Sequence, residues 1–394
     1  MRAGFAVLVL AYVLSQFFRA FLAVLTPALG ADLGMDAGDL ALASGLWFAI
    51  FAAAQLPIGL GLDRLGPRRT AGWTFILGAA GGATLFATAQ TPGMVVAAMA
   101  LIGLGCAPVL MASFFIFART FPPAAFASLA GLLIGVGSAG NLASAAPLAW
   151  AVDAFGWRAT VLALAGLSAA VGAGVLALVR DPAPAHDDDG PDGGLGALLR
   201  IRALWVIAPL VAINYAPAAG VRGLWAGPYL EEVFGLGADG IGIVTLCMAA
   251  AMILGNFAYG PADRLFGTRK WVIVAGNLAA VAALIALGLA PGQGVVLAAV
   301  LLAALGFFGS SFALVMAHSR SYFPPRLLGR GGTLANLLSI GTVGLLQIVT
   351  GRIHAGMTAA GATPEATFGA LFLFFGLLLL AGVVVYLFAD DRLD

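Results

Sequence analysis

Twelve apolar runs of about 20 residues, separated by short polar loops, leave this chain very few folds to choose from. They lie near Gly4–Leu29, Leu40–Gly61, Thr70–Ala89, Met94–Phe117, Phe126–Trp150 and Thr160–Val179, then near Leu204–Leu224, Ile241–Ala262, Trp271–Leu289, Val295–Ala317, Gly332–Arg352 and Thr367–Phe388. A helix needs about 20 residues to cross a bilayer core. Within that core every backbone N–H and C=O must find its partner inside the protein, so runs of this length are expected to be helices. Composition excludes a soluble fold: 62% of residues are hydrophobic and 9% charged, against about 45–50% and about 25% in soluble domains. The expected fold is an all-α membrane protein of twelve transmembrane helices. The first run is too long for the apolar core of a signal peptide and counts as a span.

Basic residues set the expected orientation. With the N-terminus in the cytoplasm, cytoplasmic segments hold Arg2, Arg64, Arg68, Arg69, Arg119, Arg180, Arg200, Arg202, Arg264, Arg269, Lys270, Arg320, Arg326, Arg330 and Arg392, which is fifteen of nineteen. Outside loops hold only Arg158 and Arg352, the bias expected of a multi-pass protein with both termini inside, in a bacterial-type inner (plasma) membrane. One long polar stretch, from Arg180 to Arg202, has the Pro- and Asp-rich composition of a solvated linker. It divides the chain into an N-terminal six-helix bundle over 1–180, a central cytoplasmic loop over 181–202 and a C-terminal six-helix bundle over 203–394. Cys106 and Cys247 lie in apolar runs without metal-ligand spacing and are expected to be small buried hydrophobes. A net charge of +1 gives no reason to expect nucleic acid as a partner.

The halves repeat one another. Gly59-x-x-x-Asp63-Arg64-x-Gly66-x-Arg68-Arg69 follows the second span, and Gly260-x-x-Asp263-Arg264-x-x-Gly267-x-Arg269-Lys270 follows the eighth, with the aspartates 200 residues apart. Arg119-Thr-Phe-Pro122-Pro123 after the fourth span matches Arg320-Ser-Tyr-Phe-Pro324-Pro325 after the tenth, at an offset of 202 between Pro122 and Pro324. Pro27 and Pro228, 201 apart, are expected to end the first and seventh spans. Parallel repeats of this kind place a solute site near the bilayer midplane, where the repeats meet.

The loop Gly59 to Arg69 resembles the signature loop of the major facilitator superfamily, and the degenerate copy after the eighth span falls where that family has one. The likeness covers twelve spans, a central cytoplasmic loop and Gly156-Trp157-Arg158 before span six. It implies alternating access, with Gly59, Asp63, Arg64, Gly66, Arg68, Asp263 and Arg264 acting as a conformational latch. Gly59 would allow close helix approach. Asp63 would sit at the N-terminus of span eleven, where a carboxylate is favoured. Anchoring of Arg64, Arg68 and Arg69 to anionic lipid is the competing explanation. Two departures weigh against the mechanism of proton-driven drug exporters: Met99 stands where many proton-coupled members carry an arginine, and span five lacks a Gly-Pro pair. Gln55-Leu-Pro57-x-Gly59, with Phe17-Phe18-Arg19, is similar to members that carry amino acids, peptides or organic acids.

Two arginines stand inside spans. Arg19 lies roughly 22 Å along span one at 1.5 Å per residue, and Arg222 holds the matching position in span seven, 203 residues later. A charge at that depth costs at least about 2.5–3.5 kcal/mol. All eighteen acids fall in or near loops, so no span interior supplies a countercharge. An anionic group on a solute would, and the guanidinium fork suits carboxylate or phosphate. The competing explanations are that Arg222 snorkels outward to Glu231 or Glu232, and that Asp39 partners Arg19. Other candidate cavity residues are Gln55, Asn256, Asn141, Asn214, Tyr215, Asn336 and Gln347, with Trp47 and Trp225 as covers. Each could equally be a helix–helix hydrogen bond or an interfacial anchor.

An anion entering against 100 mV opposes about 2.3 kcal/mol per charge, so net uptake would need exchange for a counter-anion, a co-transported proton or a zwitterionic solute. The histidines are placed in the linker (His186), at the end of span ten (His318) and in an outside loop (His354), none suited to carrying that proton. The expected activity is transport of a small carboxylate-bearing solute by a monomer in a lipid bilayer, without metal or cofactor. A drug or metabolite efflux antiporter, or a non-transporting sensor on the same fold, are the other possibilities. No nucleophile–base pair, metal spacing or phosphate loop suggests an enzyme.

Overall fold

The computed structural model describes residues 2–120, 123–182, 202–322 and 328–392, apart from the side chains at 2, 63, 118, 123–128, 130–131, 202–203, 320 and 328–333. Described residues form helices and loops, without strands. Ten helices are long and apolar enough to cross a membrane: Ala37–Leu62, Pro67–Ala87, Pro92–Phe117, Trp157–Leu178, Leu204–Phe234, Ala238–Phe266, Lys270–Leu289, Val295–Ser319, Leu334–Ala359 and Pro364–Tyr386. Two bent pairs bring the number to twelve: Ala3–Phe18 with Leu22–Leu33, at 53°, and Leu132–Ala143 with Ala146–Phe155, at 43°. The chain is therefore a multi-pass membrane protein, and these segments are spans 1–12 in chain order, the bent pairs being spans 1 and 5.

Two compact units result, one of Met1–His186 with Gly237–Ile243, the other of Asp187–Leu236 with Val244–Asp394. Most of the linker expected over 181–202 lies outside the described residues, as do Phe121-Pro122 and Pro324-Pro325 of the repeat.

Local chemistry explains the helix ends. Asp36 caps span 2, accepting from the backbone N–H of Asp39 while the Asp39 carboxylate accepts in return. Asp39 is thus committed to a capping box and does not meet Arg19. Pro67, Pro92 and Pro364 open spans 3, 4 and 12, where a missing N–H costs nothing. Pro27 and Pro228 do not end their spans as expected. Both lie inside a helix that runs on to Leu33 or Phe234. The stops are Gly34 and Gly235, 201 residues apart, in left-handed conformation at φ 64° and 67°, which glycine adopts without a Cβ penalty.

Two departures from regular helix matter for function. Span 1 breaks at residues 19–21, and span 7 contains a π-helical turn over Val221–Trp225. The two span arginines sit at these irregularities. Such π-turns recur at functional sites.

Candidate functional site

In the first unit, Arg19 is the first residue of the break in span 1. The N–H groups of Ala20 and Phe21 both donate to the Phe17 carbonyl, closing the turn that projects it. Its guanidinium carbon stands 5.6 Å from the centre of the Trp47 ring and 5.0 Å from that of Phe51, both on span 2. The two rings stack at 5.2 Å and 16°. Among the described residues the guanidinium has no carboxylate partner, and its buried Nε makes no hydrogen bond. Contact with aromatic faces is worth about 0.5–2 kcal/mol, but rings accept no strong hydrogen bond and carry no net charge.

Neighbouring helices hold this arrangement. Gly103 of span 4 packs directly on the Trp47 carbonyl, and Gly140 of span 5 on the Val13 carbonyl ahead of the break, so a Cβ at either would collide with backbone. The acid at the far end of span 1 is already engaged. Asp32 accepts from Trp157 Nε1 at 2.9 Å and from Arg158 at 2.6 Å. Gly156-Trp157-Arg158 thus closes the end of span 1 over the start of span 6.

Gln55 is close to the rings but spoken for, since its amide donates to the carbonyls of Phe51 and Ala107. Asn141 lies one turn before the break in span 5. Trp47 is fully buried beneath Arg19, where it is a floor rather than a cover.

In the second unit, Arg222 is 4% exposed within the π-turn that also carries Trp225. Trp225 Nε1 donates to Thr350 of span 11 at 2.9 Å. Gln347, one turn earlier on span 11, is wholly buried, and neither end of its amide has a hydrogen-bond partner. It lies beside Gly220, 3.9 Å from where a Cβ would stand. Asn214, at an earlier break in span 7, donates to Asn277 Oδ1 at 2.7 Å and Ser311 Oγ at 2.9 Å, while its own oxygen is unsatisfied. Tyr215 rests against Phe312 at 5.1 Å. Asn336 is half-buried, and Asn256 is exposed on span 8.

Phe51, Asn277, Ser311 and Thr350 escaped the sequence argument. Asn277, a lone amide in an otherwise apolar span, was the available signal; an aromatic or a hydroxyl among many carries none.

The loop copies are built alike. In the first, Gly66 at φ 83° precedes Pro67, and the Arg68 N–H donates to Asp181 at 2.7 Å. In the second, Asp391 accepts from the N–H groups of Arg269 and Lys270. Each carboxylate lies just beyond the last span of its unit and caps that unit's third. Burial pushes the Asp391 carboxyl up, but the Thr268 hydroxyl and the two N–H groups more than offset this and hold it below its usual range. Asp263 pairs with Arg269 of its own loop at 2.8 Å. The Asp63 side chain lies outside the described residues, and Arg64, Arg68 and Arg264 are exposed. A Cβ at Gly59 would meet no described atom within 4 Å, whereas one at Gly61 would meet Thr70 at 3.1 Å, so the tight approach falls one residue pair later than expected.

Two other expectations, on Cys247 and His354, are corrected, while His318 stands at the end of span 10 as expected. Cys106 is buried, but Cys247 is exposed. His318 is enclosed between Tyr386 Oη and the Asp390 carbonyl. His354 is not in a loop: the helix that starts at Leu328 runs to Ala359, and the residue is buried within it.

Comparison with known proteins gives the fold its name. The described residues contain no group of three or more His, Cys, Asp or Glu able to hold a metal ion. A search of curated proteins finds no match. Among solved structures, the chain is similar to a bacterial homolog of the human lysosomal transporter Spinster, inward-facing and occupied, at TM-score 0.69 and 18% identity, covering 98% of this chain and 94% of that one. It is similar to a D-xylose–proton symporter at TM-score 0.74 and 15% identity, covering 96% of each chain. A variant of the nucleoside transporter NupG gives TM-score 0.74 and 17% identity, covering 96% of this chain and 100% of that one. These likenesses establish the fold. The sequence model of the Major Facilitator Superfamily matches residues 8–221, more than half of the chain. With twelve spans in two units, the protein belongs to the major facilitator superfamily.

Proposed function

We propose that the protein is a secondary active or facilitative transporter of a small carboxylate-bearing solute, anionic or zwitterionic, working by alternating access in a bacterial-type inner membrane. The observation that carries this reading is Arg19: a guanidinium held at a helix break over two stacked rings, with no described carboxylate or hydrogen-bond acceptor to meet it. Placing an uncompensated cation there is costly unless the missing charge arrives with the cargo. Charge-assisted hydrogen bonds to a carboxylate contribute about 1.5–3 kcal/mol, ample for selectivity among small solutes. Arg222 and Gln347 support the reading from the second unit, Gln347 by supplying one donor and one acceptor without partners.

The structural neighbours named for xylose and nucleoside transport suggest a second reading, an uncharged hydroxylated solute. The unsatisfied amide of Gln347 and the Asn214–Asn277–Ser311 cluster fit it. One experiment separates the two. Proteoliposomes are screened for counterflow with radiolabelled monocarboxylates, amino acids, sugars and nucleosides. The carboxylate reading expects uptake of a carboxylate that Arg19→Gln lowers at least tenfold. It fails if Arg19→Gln leaves transport of every confirmed substrate intact, or if the substrates are all uncharged.

A further inference from the structure

We propose that His354 and Glu232 form a proton-binding site at the C-terminal ends of spans 11 and 7, and that its proton is the ion coupled to solute movement. The coupling half of this inference rests on the transporter reading above; the site itself does not. His354 is 6% exposed, and its Nε2 lies 3.4 Å from Glu232 Oε2, beyond a normal hydrogen bond. That buried nitrogen has no hydrogen-bond partner. The ring is fixed between two aromatics, stacked on Trp225 at 5.4 Å and 27° and standing 5.2 Å from Phe368 of span 12. The Glu232 side chain is 36% exposed, so the pair has a wet edge and a dry interior.

Imidazole is the side chain whose ordinary titration falls near neutral pH. When neutral, His354 leaves Nε2 unsatisfied beside a carboxylate. A proton taken from solvent at the exposed edge makes it an imidazolium that donates to Glu232, drawing the ends of spans 7 and 11 together. Releasing the proton to solvent reverses the change, and no other reactant is needed.

The site also has a route to the solute residues. Gln347, Thr350 and His354 follow one another at spacings of three and four on span 11, so they share one helix face. That face meets span 7, where Trp225 bonds to Thr350 and stacks on His354 while Gln347 lies beside Gly220. A shift of Trp225 with the charge on His354 therefore acts on the turn that carries Arg222. The surrounding elements carry these other titratable or charged groups: Tyr215, Arg222, Tyr229 and Glu231 on span 7, Glu365 and Tyr386 on span 12, His318 on span 10, and Arg352 on span 11 itself. Among the described residues, only Glu232 lies within ion-pair distance of His354.

The test of the site uses purified protein without solute. Protonated imidazole against an indole quenches its fluorescence, so wild-type tryptophan emission should fall in one step as pH is lowered from 8 to 5. His354→Gln and Trp225→Phe should each remove that step, and Glu232→Gln should alter it by withdrawing the partner carboxylate. A wild-type curve without a step, or a step untouched by His354→Gln, overturns the proposal. The test of coupling uses proteoliposomes and a carboxylate confirmed by the Arg19 experiment. A one-unit pH gradient should drive accumulation in wild type, and the ratio of gradient-driven accumulation to equal-pH counterflow should fall at least tenfold in His354→Gln. An unchanged ratio sinks the coupling. If Arg19→Gln proves silent while the fluorescence step behaves as expected, the solute reading has failed and the proton site has not.

Discussion

The two units solve one problem differently. Both carry an arginine deep in their first span, at positions 19 and 222, and in both the helix is irregular there. Their surroundings diverge two helices away. In the first unit Gly103 packs on the Trp47 carbonyl, and Trp47 with Phe51 makes an aromatic floor for the guanidinium. In the second, Gly306 packs on the Met248 carbonyl in the same manner, with the Met248 and Met252 side chains nearby. The glycine-on-carbonyl contact is kept, while the side chains at the matching positions differ. Rings hold a cation in place yet leave its hydrogen-bonding edge available. Thioethers offer packing and little charge recognition, and there the π-turn buries the arginine almost completely. The matched arginines thus differ in what surrounds them, stacked rings in one unit and a buried π-turn in the other.

The sharpest way to break this comparison is to neutralise each arginine. Arg19→Gln should weaken transport about 10–100-fold, the equivalent of losing about 1.5–3 kcal/mol of charge-assisted hydrogen bonding, with little change in thermal stability. Arg222→Gln should do the opposite, lowering the melting temperature of purified protein more than it weakens solute affinity. Equal effects on counterflow would make the two sites equivalent and end the asymmetry.

A second test concerns the floor beneath Arg19. Gly103→Ala drives a methyl into the Trp47 backbone and should cost roughly 1–3 kcal/mol, read as a lower melting temperature with loss of transport. A variant of wild-type stability would show that span 4 does not set the height of the rings.

Gln347→Leu removes a buried amide that satisfies neither of its hydrogen-bonding ends. Since such groups cost about 1–3 kcal/mol, the variant should be more heat-stable in the absence of solute while transporting less well. Greater stability with undiminished transport would remove Gln347 from the solute path.

The smallest effect is expected at the matched caps. The Asp391 carboxyl is held below its ordinary value of 3.8, so its contribution is present above that pH and is lost as pH falls through the lower folded value. Asp391→Asn should therefore cost less than about 1 kcal/mol at neutral pH, with the difference from wild type vanishing under strong acid. Asp181→Asn in the first unit is the matched control, and a difference between the two variants would show that the caps have diverged as the arginines have.

Spans, repeat and family were legible because each rests on a property summed over many residues. Twenty apolar positions in a row, fifteen basic residues on one expected side and matches at an offset near 200 all survive errors at single sites. The candidate site was legible in part. Arg19 and Arg222 stood out because a charge in an apolar run is costly wherever the helix turns. Pro27 and Pro228 misled, because each helix runs on past its proline, and the true stops were Gly34 and Gly235. Asn256 matches Gln55 in sequence, yet the one is exposed and the other is bonded across helices. His354 was assigned to a loop because the polar residues after Arg352 suggested an end that the helix runs past.

By itself the sequence determined the solvent, the number of spans, the duplication and the presence of two arginines deep in spans whose acids lie only at or near their ends, since lipid penalises every unpaired polar group regardless of packing. Only the tertiary structure decided which side chains meet those arginines, and that His354 is buried against Glu232 rather than solvated. The rotation of each helix about its axis and the break that interrupts it are set by contacts between residues far apart in the chain, and no local pattern encodes them.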